Sequence, residues 1–271
     1  MVTQEQRKRQ LAREKFLRQQ QRRTAARRKA RMRNSVIASV LGVILVGSLA
    51  LYTTGVLKDD GDDKANASAT ADTTPSAVAD PCEKAAKGKV KTATWKKEPS
   101  MTIDKAASYT MKLATTCGDI DIALKTKAAP HTVNSFSFLA SKGYFDHTKC
   151  HRLTTNGIYV LQCGDPTGSG SGGPGYTIPD ENLKDKSLKD NVYPAGTIAM
   201  ANTGQAHTGG SQFFLVYQDS QLPPSYTPFG TVSESGMTVL KKIAAAGEST
   251  GAGDGAPNAT VVINKATVTK S

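Results

Sequence analysis

The sequence predicts a mainly β domain, a closed antiparallel β-barrel capped by two α-helices, which is preceded by one transmembrane helix. Three observations support this prediction. After residue 100 the apolar residues mostly alternate with polar ones in short runs, as they do in half-buried strands. Only two segments in that region have helical spacing, and they lie far apart. Near the N-terminus, a long uncharged segment follows a strongly basic one.

The N-terminal tail holds nearly all of the excess positive charge. The 271-residue chain has a formal net charge of +12, with 35 Lys+Arg against 23 Asp+Glu. Thirteen of these basic residues and only two acidic ones lie in residues 1–34, so the other 237 residues are nearly neutral. A nucleic-acid-binding domain would need a basic surface of its own. We therefore expect no nucleic-acid partner.

Residues 35–57 form an uncharged, apolar segment. At about 1.5 Å per residue, a helix of this length spans roughly 35 Å, enough for a bilayer core of about 30 Å. The segment is also longer than the apolar region of a signal peptide, which has about 7–15 residues. We predict an uncleaved transmembrane signal anchor. Cleavage after Ala65-Asn66-Ala67 or Ala69-Thr70-Ala71, which have the small-x-small form, is the alternative.

The charges on either side of this segment predict its orientation. Basic residues precede it and four aspartates follow it between residues 59 and 63, so residues 1–34 are predicted to be a cytoplasmic tail. The chain would then be a single-pass cell-membrane protein whose domain lies outside the cytoplasm. Residues 58–81 contain almost no large apolar residues and predict a disordered linker. Residues 82–103 are an N-terminal extension that belongs either to the linker or to the domain surface.

Four cysteines, Cys82, Cys117, Cys150 and Cys163, lie on the predicted external side, where disulfides persist. Two bridges can form with three connectivities. We favour Cys82–Cys117 and Cys150–Cys163, and the other two pairings stay open. The cysteines lack Cys-x-x-Cys spacing and the four histidines do not cluster with them, so we expect no metal site.

The strand predictions follow the alternation. Apolar residues alternate over residues 109–113 and again over 120–124, which predicts a hairpin with Cys117-Gly118 in its turn. Asp119 and Asp121 lie between the apolar positions of the second strand and should face solvent. The other strand-like runs are Gly157–Gln162, Thr197–Ala201, Gln212–Tyr217, Phe229–Val232 and Thr260–Ile263.

Two segments have helical spacing. Over residues 130–143 the apolar residues recur at every third or fourth position, and Gly143 stands where a helix would end. Residues 236–247 repeat the pattern before Gly247. These two helices would close the ends of the barrel.

The residues that indicate a chemical function lie in three separate sequence segments, called phrases below. No phosphate loop, G-x-S-x-G elbow or His-Glu-x-x-His motif is present, and the glycine-rich run 168–173 is interpreted as a surface loop. The three phrases are YFDHTKCHRL followed by LQCGDPTGSGSGGPGY, then GTIAMANTGQAHTGGSQFFLVY, then LPPSYTPFGTV. With them, the sequence over about residues 104–271 resembles the cyclophilin family of peptidyl-prolyl cis-trans isomerases. Combined with the predicted anchor, the resemblance implies a membrane-anchored bacterial form.

The resemblance also implies the site residues. Its catalytic pair falls on Arg152 in CHRL and on Gln162 in the LQCGD phrase. Phe213 and Phe214 are neighbours in a strand and must face opposite sides, and the resemblance selects Phe214 for the pocket. The substrate-binding residues that it implies are Tyr159, Val160, Ala201, Asn202, Gln212, Phe214, Leu222 and Tyr226.

The reaction that the resemblance implies is rotation about an X-Pro bond, with a barrier of about 18–20 kcal/mol. Lowering this barrier needs no nucleophile, metal or cofactor, and we expect none. It needs an apolar slot for the proline ring and a donor for the twisted amide, a role that suits Arg152.

We expect a monomer whose partners are proline-containing polypeptides and whose isomerase activity assists the folding of exported proteins. The alternative is a cyclophilin-shaped binding module or chaperone with little catalysis. Gln221 stands where cyclosporin-sensitive members of the family have tryptophan, which predicts weak cyclosporin binding.

Overall fold

The computed structural model describes residues 80–270. This part of the chain contains twelve β-strands and two α-helices. The strands are β1 (Tyr109–Thr115), β2 (Gly118–Leu124), β3 (Thr148–Lys149), β4 (Arg152–Thr154), β5 (Val160–Cys163), β6 (Val192–Tyr193), β7 (Thr197–Met200), β8 (Phe213–Val216), β9 (Ser220–Gln221), β10 (Pro228–Val232), β11 (Asp254–Gly255) and β12 (Val262–Lys270). The helices are α1 (Pro130–Ser141) and α2 (Glu234–Ala245).

The predicted tail and transmembrane anchor, and nearly all of the predicted linker, lie outside the described residues. Between residues 80 and 270, none of the helices combines the length and the apolar character that a membrane crossing requires.

Ten of the described strands form one sheet in the order β11-β4-β5-β8-β7-β10-β2-β1-β12-β3, and β6 pairs with β9. Side chains from both ends of this order, including Leu153 of β4 and Ile263 of β12, lie in one apolar core, so the sheet curls around it. The prediction of a mainly β fold with two helices is confirmed.

The prediction of a closed barrel is wrong. Among the described strands, β11 and β3 stand at the two ends of the sheet order and do not pair with each other. The ladder is interrupted where the chain passes from β3 to β4. There the amide of Cys150 donates to Val261 O (3.0 Å), whereas the next amide, of His151, donates to Gln162 O (3.1 Å). Between Cys150 and His151 the backbone therefore stops pairing next to β12, at one end of the sheet, and starts pairing with β5, near the other end. The hydrogen-bond ladder is not continuous across this point.

The predicted hairpin is confirmed by β1 and β2, which pair in register from Tyr109 with Leu124 to Thr115 with Gly118. Its apolar positions are buried, and Asp119 is exposed and lies 2.7 Å from the amino group of Lys112.

Two of the predicted strands outside the hairpin differ from the observed ones by more than one residue at an end. The strand predicted from residue 157 begins at Val160, because Gly157 has a φ of 75° and the chain turns there. The last strand extends to Lys270, since its second half pairs with β1 and turns Ala266 towards the core.

Both predicted helices are present. Pro130 occupies the first turn of α1, where its missing N–H costs nothing, and Gly143 follows the helix with a φ of 65°. Helix α2 begins two residues earlier than predicted. The reason is a cap, since the Ser233 hydroxyl accepts a hydrogen bond from the amide of Gly236 (3.1 Å).

The favoured disulfide pairing is confirmed by Cys82–Cys117 and Cys150–Cys163. The first bridge joins the N-terminal extension to the turn between β1 and β2. The ring of Trp95 then packs against Phe138, with centroids 5.1 Å apart. Residues 82–103 therefore lie on the domain, which answers the question that the sequence left open.

Candidate functional site

A cavity of about 180 Å³ opens on the outer face of the sheet. It is smaller than the roughly 300–1,000 Å³ of pockets that hold drug-sized ligands, and its size suits a single side chain. The lining residues are Arg152, Ile158, Val160, Gln162, Ala201, Asn202, Phe214, Leu222 and Tyr226. Most of the wall is apolar, and its polar groups come from Arg152, Gln162 and Asn202.

Strand register brings the polar and apolar parts of this cavity together. Strand β5 lies between β4 and β8, and Gln162 is paired with Arg152 on one side and with Phe214 on the other. Paired residues of neighbouring strands point to the same face of a sheet. Three residues that are distant in sequence therefore form one row across the sheet.

Tyr159 does not line the cavity, and Ile158 occupies the place expected for it. Side chains alternate along a strand, so Gln162, Val160 and Ile158 share one face, and Leu161 lies in the core behind it. Tyr159 instead packs edge-on against Tyr217, with ring centroids 5.9 Å apart. Counting back from Gln162 in steps of two would have found Ile158.

Phe213 and Phe214 face opposite sides, as their adjacent positions predict. Phe213 lies in the main core, whereas Phe214 lies in a second apolar cluster with Val160 and Leu222. The Phe214 ring contacts Tyr226 edge-on, with centroids 5.4 Å apart. The cavity therefore has a buried aromatic floor that is separate from the main core.

Tyr193 supports Tyr226 from below and was missed in the sequence. Its hydroxyl donates to Tyr226 O (2.8 Å) and accepts from the amide of the same residue (3.2 Å). Burial raises the pKa of Tyr193 to about 12, so the hydroxyl remains a donor at neutral pH. Tyr193 belongs to the short strand β6, for which the alternation gave no signal.

The guanidinium of Arg152 is held by two partners. Its Nε and Nη2 donate to the carboxylate of Asp254 at 2.7 Å and 2.8 Å, and its Nη1 donates to Gln162 Oε1 at 3.2 Å. The hydrogen bonds to Asp254 raise the pKa of Arg152 and hold the pKa of the Asp254 carboxyl below its usual value. Sequence reasoning missed Asp254, which lies 102 residues from Arg152 in a loop-rich segment without a motif.

A line of side-chain amides continues from Arg152. Gln162 Nε2 donates to Gln212 Oε1 (2.9 Å), and Gln212 Nε2 donates to the carbonyl of Gly172 (2.9 Å). Gln212 does not line the small cavity, but it lines a larger groove beside it. Each amide is fixed by its neighbour, so the orientation of Gln162 depends on the glycine-rich loop.

The buried carboxylate of Asp165 organises that loop. It accepts hydrogen bonds from the amides of Thr167 (2.7 Å), Gly170 (2.7 Å) and Gly172 (3.1 Å). Burial alone would raise the pKa of Asp165, but these hydrogen bonds outweigh it and lower the pKa to about 2. The loop is on the surface, as predicted, and its conformation is set from inside by one charged group.

Asn202 and Ala201 lie at the border between the cavity and the groove. The Asn202 amide donates to Ser225 O (2.8 Å), which fixes the side chain at the rim. The backbone amide of Ala201 donates to Gln212 O (3.0 Å).

Among residues 80–270, no three His, Cys, Asp or Glu side chains are grouped so that they could hold a metal ion.

Comparison with known proteins identifies the fold and the family. The model of the family described as "Cyclophilin type peptidyl-prolyl cis-trans isomerase/CLD" matches residues 110–268, which is more than half of the chain. The chain belongs to the cyclophilin family. All nine residues that line the cavity lie within the matched cyclophilin domain.

Two bacterial relatives illustrate the extent of the similarity. The chain is 50% identical over 165 residues to the probable peptidyl-prolyl cis-trans isomerase B of Mycobacterium leprae, covering 58% of this chain and 56% of the relative. It is 39% identical over 141 residues to the peptidyl-prolyl cis-trans isomerase of Helicobacter pylori, covering 51% of this chain and 81% of the relative. The chain thus spans only about half the length of the mycobacterial relative.

A solved cyclophilin has the same fold. The crystal structure of a Cryptosporidium parvum cyclophilin-type peptidyl-prolyl cis-trans isomerase superposes with a TM-score of 0.51 and 26% identity. The match covers 60% of this chain and 99% of that one. The cyclophilin domain therefore accounts for the described sheet and helices.

Proposed function

We propose that this cyclophilin is a membrane-anchored peptidyl-prolyl isomerase that faces outwards and accelerates X-Pro rotation in exported proteins. The observation that carries the proposal is the position of Arg152, whose guanidinium is held at the edge of an apolar cavity sized for one side chain. A binding module needs the cavity only, whereas an isomerase also needs a fixed donor beside it.

The cavity is suited to a proline ring. Phe214, Val160 and Leu222 form an apolar floor that is nearly closed to solvent. Burying the ring there removes apolar surface from water, worth roughly 25 cal/mol per Å². This contribution anchors the substrate but does not by itself lower the barrier, because it is the same in both amide isomers and in the transition state.

Arg152 would stabilise the transition state more than the ground state. As the amide twists, the prolyl nitrogen loses conjugation and becomes a hydrogen-bond acceptor, so a donor aimed at it stabilises the twisted form. Of the five N–H donors of a guanidinium, three are used by Asp254 and Gln162, which leaves one on each Nη for the substrate. Asp254 and Gln162 restrict the rotation of the guanidinium, so little reorganisation accompanies the reaction.

The membrane location is supported by the sequence. The basic tail, the uncharged segment 35–57 and the aspartates after it together predict an anchor with the domain outside. The pairing of all four cysteines in disulfides fits an oxidising compartment. Exported polypeptides that fold in the same compartment are the proposed substrates.

The experiment is a peptide isomerisation assay with the full chain in mild detergent. The wild-type protein should accelerate cis-to-trans exchange of an X-Pro tetrapeptide, and Arg152→Ala should lose most of this acceleration while its thermal unfolding stays close to that of the wild type. Binding of the peptide without acceleration by the wild type would favour the binding module. Equal acceleration by both proteins would rule out the role of Arg152.

A further inference from the structure

A groove of about 1110 Å³ runs beside the 180 Å³ cavity described above, which is called the proline cavity from here on. The two share Gln162, Ala201 and Asn202. One part of its wall is the glycine-rich loop with Gln212. Another part is formed by Lys96, Lys97 and Glu98 of the N-terminal extension. A polypeptide with its proline in the cavity would have its neighbouring residues in this groove.

The extension is fixed against the domain at this point. The amide of Trp95 donates to Pro174 O (2.8 Å), and its ring packs against Phe138 and Tyr144. Gly175 has a φ of +84°, and a Cβ there would lie 2.9 Å from Trp95 O, so only glycine allows the two backbones to approach so closely. The two lysines that follow Trp95 therefore start from an anchored backbone.

These lysines do not belong to the shared cyclophilin domain. The family model begins at residue 110, and Lys96 and Lys97 precede it. The groove of this chain is therefore built partly from the common domain and partly from an addition to it. A property that arises from the lysines would be specific to chains that carry such an extension.

The groove has an uneven charge. Lys96 and Lys97 are exposed, and neither lies within ion-pair distance of an acidic group in the described part of the chain. Glu98 is the one carboxylate among the lining residues, and its Oε1 lies 3.3 Å from His131 Nδ1. The remaining lining residues carry no charge. The groove thus contains two lysines without an ion-pair partner among the described residues and one carboxylate that is paired with a histidine.

We infer that Lys96 and Lys97 give the isomerase a preference for substrates with Asp or Glu close to the isomerised proline. This inference rests on the proposed function and adds a substrate class to it. The lysines lie away from the twisting bond, so they would act on substrate capture and thus on KM more than on kcat. Because the lysines are exposed, each favourable charge pair should change kcat/KM by roughly two- to fivefold and weaken with added salt.

The test measures kcat/KM of the full chain on matched X-Pro peptides, with Glu or Gln placed one to three residues before or after the proline. We expect the wild type to prefer a Glu peptide over its Gln counterpart. K96Q/K97Q should remove the preference for the Glu peptide over the Gln peptide. K241Q/K242Q is the matched control, because it neutralises an exposed lysine pair on α2 that does not line the groove.

Charge reversal separates a direct contact from a structural effect. K96E/K97E should prefer peptides with Lys over those with Glu, which a merely distorted groove would not do. If the wild type accelerates Glu and Gln peptides equally, the inference is wrong while the proposed function stands. If it accelerates no peptide, the proposed function fails. In that case the binding of labelled peptides is measured by fluorescence anisotropy. The inference requires that the wild type binds the Glu peptide more tightly than the Gln peptide and that K96Q/K97Q binds both equally, and equal binding by the wild type contradicts it.

Discussion

Asp254 binds the guanidinium of Arg152 through two parallel hydrogen bonds, at 2.7 Å and 2.8 Å, from a strand that pairs with the strand carrying Arg152. The arginine projects from β4 and the aspartate from β11, at the edge of the sheet. A bidentate pair fixes the plane of the guanidinium as well as its position. The direction of the proposed donor is therefore set by a residue outside the cavity lining.

Asp254→Ala should reduce activity more than stability. Both partners are partly exposed, with 39% of the Arg152 side chain and 55% of the Asp254 side chain accessible, so the pair should contribute no more than about 1 kcal/mol to folding. Loss of orientation should lower kcat/KM roughly tenfold. The control is Asp119→Ala, which removes the exposed pair with Lys112 and should leave kcat/KM unchanged. Equal kcat/KM for Asp254→Ala and wild type would contradict the positioning role.

Asp165→Asn should show a pH-dependent loss of stability. The pKa of this carboxyl is about 2 in the folded chain and 3.8 ordinarily, so the carboxylate stabilises the fold fully above pH 3.8. This stabilisation, about 2 kcal/mol, is lost as the pH falls from 3.8 towards 2. Urea unfolding of both proteins at pH 7 and pH 3 should show the largest difference at pH 7. A difference that grows on acidification would have the wrong sign.

Phe214→Leu and Phe213→Leu should separate activity from stability. Both side chains are buried, so each change should cost on the order of 1 kcal/mol of unfolding free energy. Only Phe214 faces the cavity, so only Phe214→Leu should lower kcat/KM after correction for the unfolded fraction. The readouts are chemical denaturation and the peptide assay. Comparable activity losses in the two variants would argue against the assignment of faces.

Cyclosporin should inhibit the protein weakly. Gln221 lies in β9, is exposed and does not line the cavity, and the family resemblance places tryptophan there in sensitive members. Gln221→Trp should therefore strengthen inhibition without changing the rate on the tetrapeptide. An inhibition titration of both proteins measures this difference. Nanomolar inhibition of the wild type would show the prediction to be wrong.

Local patterns in the sequence were enough for the longer strands and both helices, whereas the short strands β3, β4, β6, β9 and β11 were not predicted. Alternation identified β1 and β2, and helical spacing with Gly143 identified α1, because those signals depend on residues close together in the chain. The ordered phrases identified most of the cavity. Ile158 was missed although the two-residue period pointed to it.

Contacts between residues far apart in the sequence could not be predicted from local patterns. Asp254 meets Arg152 only because β11 pairs with β4, and no local pattern specifies that pairing. The same holds for the open sheet order, which depends on where the chain turns between β3 and β4. The extension was also undecided from the sequence, because the packing of Trp95 depends on surfaces that form only in the folded domain.

The strands at the two ends of the sheet order, β3 and β11, are each only two residues long. An exposed strand edge offers unpaired N–H and C=O groups that can recruit a strand from another molecule and begin aggregation. Here β3 ends in the charged Lys149 and β11 begins with Asp254, so each of these end strands carries a charge of the kind that disfavours edge pairing. We expect these charged end strands to disfavour pairing with another copy of the domain, and one of the two charges, Asp254, also binds the arginine of the site.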